Sequence, residues 1–129
     1  MNETQFFESE ALFALSHTEL RQLGDCCLAI CTLENHLRFN VLLDRQGDYK
    51  IWTFLASDFQ STQWPALLRL AEELPPQPEI KLEITDELDL RCFTQGRIPW
   101  QTTAGALALS RVLEAFIRFL SDPAHRLSP

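Results

Sequence analysis

The chain is poor in the residues that build phosphate-binding loops and nucleic-acid surfaces. Its 129 residues include four glycines, all isolated, so no glycine-rich loop follows a strand. Lysine occurs only at Lys50 and Lys81, and the arginines are scattered singly. The formal charge is −7, from 18 acidic and 11 basic residues. Nucleic acids and anionic lipids are bound through clustered cations, so we expect neither as a partner.

Long apolar runs are also missing, as is a basic, apolar leader. No run approaches the roughly 20 residues of a membrane span, and Met1–Gln5 is polar and acidic. We therefore expect a cytoplasmic protein without a membrane partner. Cys26, Cys27, Cys31 and Cys92 fit this expectation, because adjacent strand cysteines point to opposite faces and make a poor disulfide framework. We expect buried, reduced thiols.

Patterns for catalysis or metal binding are lacking. His17, His36 and His125 are far apart, and none has a second ligand at metal-binding spacing. A cysteine–histidine pair can form in space, but a thiol inside an apolar strand, such as Cys31, has a raised pKa that opposes thiolate chemistry. The carboxylates between residues 79 and 89 are typical of a solvated sheet face. We predict no enzyme, no cofactor and no metal site.

The apolar pattern predicts one α+β domain over residues 1–129, with frayed ends at 1–5 and 124–129. Its element order is α-β-β-β-α-β-β-α, and its sheet is antiparallel and five-stranded. Helical spacing predicts a first helix over Phe6–Leu23, interrupted at Ser16-His17. Period-two alternation then predicts three strands joined by short polar turns. They are Cys26–Cys31, Leu37–Leu43 and Tyr49–Ala56.

The second half predicts two helices around a pair of strands. The second helix begins near Ser61-Thr62 and ends at Pro75-Pro76. Two alternating strands follow, one at Ile80–Ile84 and one that begins at Leu88 and fades at Gln95-Gly96. The last helix begins at a Thr102 or Thr103 cap and runs to Leu120.

The last helix has more large apolar side chains than one face of it needs. We expect Leu109, Phe116 and Phe119 to lie on an exposed side of this helix, and Trp52 and Phe54 to form an aromatic strand face. These five residues are the predicted partner-binding site. The apolar surplus predicts a homodimer, unless the first helix covers it within one chain.

The ordered pattern resembles a family of bacterial chaperones. Element order, size, acidity and the stretch Leu90-Arg91-Cys92-Phe93 to Ile98-Pro99 before a long helix are similar to the class I type III secretion chaperones and their YbjN-type (bacterial sensory transduction regulator) relatives. The resemblance covers about Leu12 to Leu120, and the break at Ser16-His17 departs from it. It implies a helix-flanked antiparallel sheet, a homodimer, no enzymatic activity, and apolar patches that hold an extended partner segment. The Gln- and Leu-rich character of the sequence also resembles small cyanobacterial proteins, among them a carboxysome-assembly chaperone.

The leading hypothesis is therefore a non-enzymatic protein-binding module. It acts as a small cytoplasmic chaperone or assembly adaptor that holds a segment of a partner protein. The alternative is a small-molecule-binding regulatory domain. Its apolar, aromatic pocket lies between the sheet and the second helix and is lined by Trp52 and Trp64.

Overall fold

The computed structural model describes residues 1–8, 15–34 and 36–123, which form three helices and six strands. A short 3₁₀ turn at Ser61–Gln63 leads into the second helix. The helices are α1 (Glu3–Phe7), α2 (Trp64–Glu72) and α3 (Thr103–Ser121). The strands are β1 (Leu15–Leu23), β2 (Cys26–Leu33), β3 (Arg38–Asp44), β4 (Asp48–Ala56), β5 (Lys81–Ile84) and β6 (Leu90–Arg97).

All six strands belong to one antiparallel sheet, in the order β1-β2-β3-β4-β6-β5. The first four strands follow one another as a meander, because the turns between them are short. The chain then leaves the sheet through α2 and returns as a hairpin in which β6, not β5, pairs with β4. Consequently β1 and β5 are the two edges of the sheet.

The prediction of five strands is wrong, because the segment read as a long first helix contains a strand. Within Phe6–Leu23 the structure has the end of α1 and all of β1, and residues 9–14 of the predicted helix lie outside the described residues. Strand β1 pairs with β2 from Leu15 to Leu23. Its helical apolar spacing is overridden by pairing along the whole of β2, whose backbone groups need partners on both sides.

Gly24 explains how this hairpin closes. Only Gly24 and Asp25 separate β1 from β2, and Gly24 has a φ of +63°, which glycine adopts without a steric penalty. A glycine in this conformation also commonly follows the end of a helix. Both structures favour a left-handed residue, so the glycine alone does not distinguish them.

The helices pack against one face of the sheet, which forms the core. Alternate strand residues point into it, and α3 supplies the largest covering surface. The ring of Phe116 on α3 contacts that of Phe39 on β3 edge to face, with centroids 6.1 Å apart. The buried sheet side chains of this face are Cys27, Ala29, Cys31, Leu33, Phe39, Val41, Leu43, Ile51, Thr53, Leu90, Cys92 and Thr94.

Helix α3 begins where its sequence predicts. Thr102 is the N-cap, and its Oγ1 accepts a hydrogen bond from the backbone N–H of Gly105 at 3.0 Å. Just before it, the indole N–H of the buried Trp100 donates to the carbonyl of Asp44 at 2.8 Å. The start of the helix is therefore fixed to the β3–β4 hairpin.

Candidate functional site

The second face of the sheet is covered by no helix among the described residues. Both buried clusters of the fold draw their sheet side chains from the helix-covered face, and every side chain of the second face retains some solvent exposure. We call the second face the open face. In strand order its residues are His17, Glu19, Arg21 and Leu23; Cys26, Leu28, Ile30 and Thr32; Arg38, Asn40, Leu42 and Asp44; Asp48, Lys50, Trp52 and Phe54; Arg91, Phe93, Gln95 and Arg97; Lys81 and Glu83.

Large apolar side chains cross the middle of the open face. Cross-strand pairing places Leu28 beside Leu42 and Trp52 beside Phe93, and Leu42 is the diagonal neighbour of Trp52 between β3 and β4. We call this group of side chains the apolar band. It comprises Leu28, Ile30, Leu42, Trp52, Phe54 and Phe93. Phe54 is 53% exposed, a large fraction for an aromatic ring in a sheet.

Two cations lie against the ring of Phe93. The Lys50 Nζ is 5.1 Å from the ring centroid, and the guanidinium carbon of Arg91 is 5.5 Å from it. Both distances are those of cation–π contacts. Arg91 also forms an ion pair with Glu83 on β5, and its Nε has no hydrogen-bond acceptor within the described chain. The ring of Phe93 is therefore contacted by two positively charged side chains.

The charge of the open face is opposite to that of the whole chain. Six cationic side chains lie on it (Arg21, Arg38, Lys50, Lys81, Arg91 and Arg97) against four carboxylates (Glu19, Asp44, Asp48 and Glu83). The chain as a whole has 11 Lys and Arg against 18 Asp and Glu. The excess negative charge therefore lies elsewhere in the chain.

The four carboxylates of the open face are already engaged. Three form ion pairs: Glu19 with Arg21 at 3.3 Å, Asp48 with Arg97 at 3.0 Å, and Glu83 with Arg91. The hydrogen bond from Arg97 holds the pKa of Asp48 below its ordinary value. Asp44 accepts the backbone N–H groups of Gln46 and Asp48, each at 2.9 Å.

Three cations of the face consequently have no carboxylate partner in the described part of the chain. They are Arg38, Lys50 and Lys81. Lys50 and Lys81 both lie beside Phe93, and Lys81 is its cross-strand partner. Arg38 is on β3, two residues before the Asn40 that pairs with Trp52. The unpaired cations therefore lie next to the apolar band.

A shallow depression lies at one end of this face, between β2, β3 and β4. Its volume is about 120 Å³. Sites for drug-sized molecules usually measure about 300–1,000 Å³, so this depression is small for a metabolite pocket. Its lining residues are Cys26, Leu42, Asp44, Asp48, Tyr49 and Lys50.

The predicted site residues divide between the two faces. Trp52 and Phe54 lie on the open face, as the strand alternation predicted. Leu109, Phe116 and Phe119 do not lie on an exposed side of α3, because all three are buried in the core. They belong to the same buried cluster as side chains of the sheet and of α1, so this apolar surplus is used within the chain.

The structure does not bring Trp52 and Trp64 together in the predicted pocket between the sheet and the second helix. Trp52 lies on the open face, whereas α2 packs on the opposite side through Leu67 and Leu70. Trp64 is on α2, where its ring contacts that of Phe59 with centroids 5.4 Å apart. Trp52 and Trp64 therefore do not line a common cavity.

Phe93, the residue that β6 contributes to the apolar band, was not predicted as a site residue from the sequence. Phe93 is adjacent to the inward-facing Cys92, so alternation along β6 indicated that it faces outward with Arg91. Its position beside Trp52 depends on the pairing of β4 with β6, strands separated by α2 and β5. No local pattern specifies that pairing.

The four cysteines are free thiols, and Cys27, Cys31 and Cys92 are buried. Burial raises the pKa of Cys31 and of Cys92 to about 12. Both thiols are therefore protonated at neutral pH and are poor nucleophiles. Within the described ranges, no three His, Cys, Asp or Glu side chains are grouped as metal ligands.

Comparison with known proteins identified no relative. No family model, no curated protein and no solved structure matches this chain. Among the described residues, no helix has the length and apolar character needed to cross a membrane. Fold and site together define an α+β protein with one six-stranded antiparallel sheet, helices on one face and an open, cationic, apolar surface on the other.

Proposed function

We propose that this protein is a non-enzymatic protein-binding module, a small chaperone or assembly adaptor, whose open face holds a segment of a partner protein. The observation that supports this proposal is the apolar band, which lies on a sheet face that no described helix covers. A sheet with apolar side chains on both faces is normally completed by a second layer of secondary structure. Here the partner supplies that layer.

The shape of the surface favours a macromolecular segment over a small ligand. The band crosses from β2 to β6, which is three strand spacings, or about 14 Å. A helix of about ten residues spans that distance, at about 1.5 Å per residue. A flat surface of this extent is covered by an amphipathic helix, whereas the depression beside it measures only about 120 Å³.

The charge of the open face defines the chemistry of the partner segment. Arg38, Lys50 and Lys81 lie beside the band without carboxylate partners, so acidic residues flanking an apolar stripe complement them. The proposed occupant is therefore an acidic amphipathic segment. A nucleic acid fits less well, because the remainder of a chain with net charge −7 repels phosphates.

The resemblance to type III secretion chaperones is part of this proposal. The order β-β-β-α-β-β-α from Cys26 to Ser121 supports it, while strand β1 lies where the pattern predicted the second part of the first helix. A cytoplasmic location belongs to the same proposal. It is supported by the four free thiols, since cytosolic proteins keep their cysteines reduced.

Peptide display tests the proposal even when the natural partner is unidentified. The immobilised protein is used to select from a random library of peptides of about 16 residues, long enough to cross the band. We expect enrichment of peptides that combine an apolar stripe with Asp and Glu. The double variant Trp52→Ser/Phe54→Ser should lose the enrichment, and Lys50→Glu should lose its acidic bias.

Leu68→Ser provides the matched control. Leu68 is also an exposed apolar residue, but it lies on α2 at the helix-covered side, so its replacement should leave the selection unchanged. Identical peptides from the wild type and the Trp52→Ser/Phe54→Ser variant would contradict the proposal. Tighter binding of an oligothymidylate than of any selected peptide would also overturn it, in favour of a single-stranded nucleic acid.

A further inference from the structure

Strand β1 is a long, open sheet edge. It has nine residues and pairs only with β2 in the described chain, so the backbone groups of its outer side have no sheet partner. Such an edge is a template for another strand. The other edge of the sheet, β5, has four residues. The side chains of β1 indicate which strand this edge accepts.

The side chains of β1 are complementary to those of a second, antiparallel β1 strand that is centred on Leu20. Glu19 and Arg21, which flank Leu20, have opposite charges, and Thr18 and Gln22 on either side of them are both polar. In an antiparallel pair of two copies centred on Leu20, each Glu19 lies opposite the Arg21 of the second copy. The pattern therefore places opposite charges in register twice and like charges nowhere.

We propose that β1 is a homodimer interface, in which two copies pair their β1 strands antiparallel around a two-fold axis at Leu20. The occupant of the edge is thus a second copy of this chain. Main-chain hydrogen bonds supply the affinity, as in other strand additions, and the Glu19 and Arg21 charges select the register. This inference is independent of the proposed function, because it uses the edge of the sheet and not the open face.

The faces of the two sheets match in this arrangement. Glu19 and Arg21 both lie on the open face, while Leu20 points to the helix-covered side, where it packs at the margin of the core. A two-fold axis perpendicular to the sheet preserves this assignment in both copies. The two six-stranded sheets then form one sheet with a single open surface, and Leu20 meets Leu20 of the second copy on the other side.

The exposure of the charged pair allows a clean test. Glu19 and Arg21 contact each other at 3.3 Å, with about half of each side chain exposed, so their replacement leaves the core intact. Such an exposed pair within one strand contributes little to stability. Its reversal therefore acts mainly on the contact between copies.

Sedimentation velocity on charge-reversed variants tests the interface. Glu19→Arg alone and Arg21→Glu alone each place like charges opposite each other twice, and we expect dimer affinity to fall on the order of tenfold. An equimolar mixture of these two variants should recover dimers, because each then faces its complement. The double variant Glu19→Arg/Arg21→Glu should also dimerise like the wild type.

Glu72→Arg on α2 is the control for the change in net charge, and it should leave dimer affinity unchanged. Circular dichroism spectra verify that each variant is folded. A wild type that stays monomeric at millimolar concentration would overturn the inference. So would single variants that dimerise as well as the wild type, or a mixture that does not recover, since either result excludes the register centred on Leu20.

Discussion

Residues Cys31 and Cys92 show what burial does to a titratable group in this protein. Both thiols are fully inaccessible to solvent, and desolvation disfavours the thiolate. Their pKa rises from the ordinary 9.0 to about 12, while short-range hydrogen bonds oppose the change only in part. These cysteines therefore act as small apolar residues of the core.

This burial predicts a loss of stability at alkaline pH. The unfolded chain releases the two protons near pH 9, whereas the folded chain keeps them up to about pH 12. The stabilisation is thus complete below pH 9 and decreases above it, by about 1.4 kcal/mol per pH unit for each thiol. Urea unfolding between about pH 8 and pH 10 measures the slope.

Cys31→Ala should remove the contribution of one of these two thiols to the slope of unfolding free energy against pH. Cys26→Ala serves as the control, because Cys26 is only half-buried and lies on the open face. A free energy of unfolding that stays constant across this pH range would show that the two thiols are not held protonated by the fold.

The limit of residue-level prediction is visible in the apolar band. Alternation along β4 was sufficient to assign Trp52 and Phe54 to one face, because the two faces of a strand follow from its period of two. The neighbours of Trp52 are set by cross-strand register, which joins β4 to a strand about forty residues away in sequence. Phe93 and its cations were therefore not predicted.

Helix α3 illustrates the same limit for an element. Its position was predicted from local signals, with Thr102 or Thr103 as the cap, and the structure has Thr102 as the N-cap. Its surroundings were not predicted, because a broad apolar surface looks the same whether a partner or the chain's own core covers it. The structure shows that Leu109, Phe116 and Phe119 are covered by the chain itself.

The interior position of α3 predicts a large effect of Phe116→Ala. Phe116 has no exposed surface, and its removal leaves a cavity beside Phe39. We expect the free energy of unfolding to fall by about 3–5 kcal/mol, as for other buried phenylalanines. Urea denaturation followed by circular dichroism provides the measurement.

Leu107→Ala on the same helix is the matched control. Leu107 is 51% exposed, so its truncation should change the free energy of unfolding by no more than about 0.5 kcal/mol. Equal effects of the two substitutions would mean that Phe116 is not part of the core.

Strand β1 could not be predicted as an element. Strands β2, β3 and β4 were correctly placed because each has a clear alternation and short polar turns. In β1, apolar residues at Leu15, Leu20 and Leu23 match a helical spacing better than an alternating one. Only its pairing with β2 makes it a strand, and that contact is tertiary information.

The whole molecule has two chemically different sides. One side carries the helices, and the other is a sheet surface on which cations outnumber anions, although the chain as a whole is acidic. An acidic partner is therefore attracted to the open face. This polarity fixes the orientation in which a segment approaches the open face.

At this scale the inferred dimer predicts that thermal stability depends on concentration. Pairing through β1 binds only the folded chain, so mass action should raise the Tm as protein concentration increases. Differential scanning calorimetry over a hundredfold concentration range measures the shift. Glu19→Arg should show a smaller shift, and a Tm of the wild type that does not change with concentration would contradict the dimer.

The short edge strand β5 has a consequence for assembly size. Its four residues begin with Lys81, and Pro75, Pro76 and Pro78 precede it, all features that discourage further strand addition. A pair joined through β1 has a β5 strand at each outer margin. Growth of the sheet therefore ends after two chains, and the edge that permits pairing does not lead to fibres.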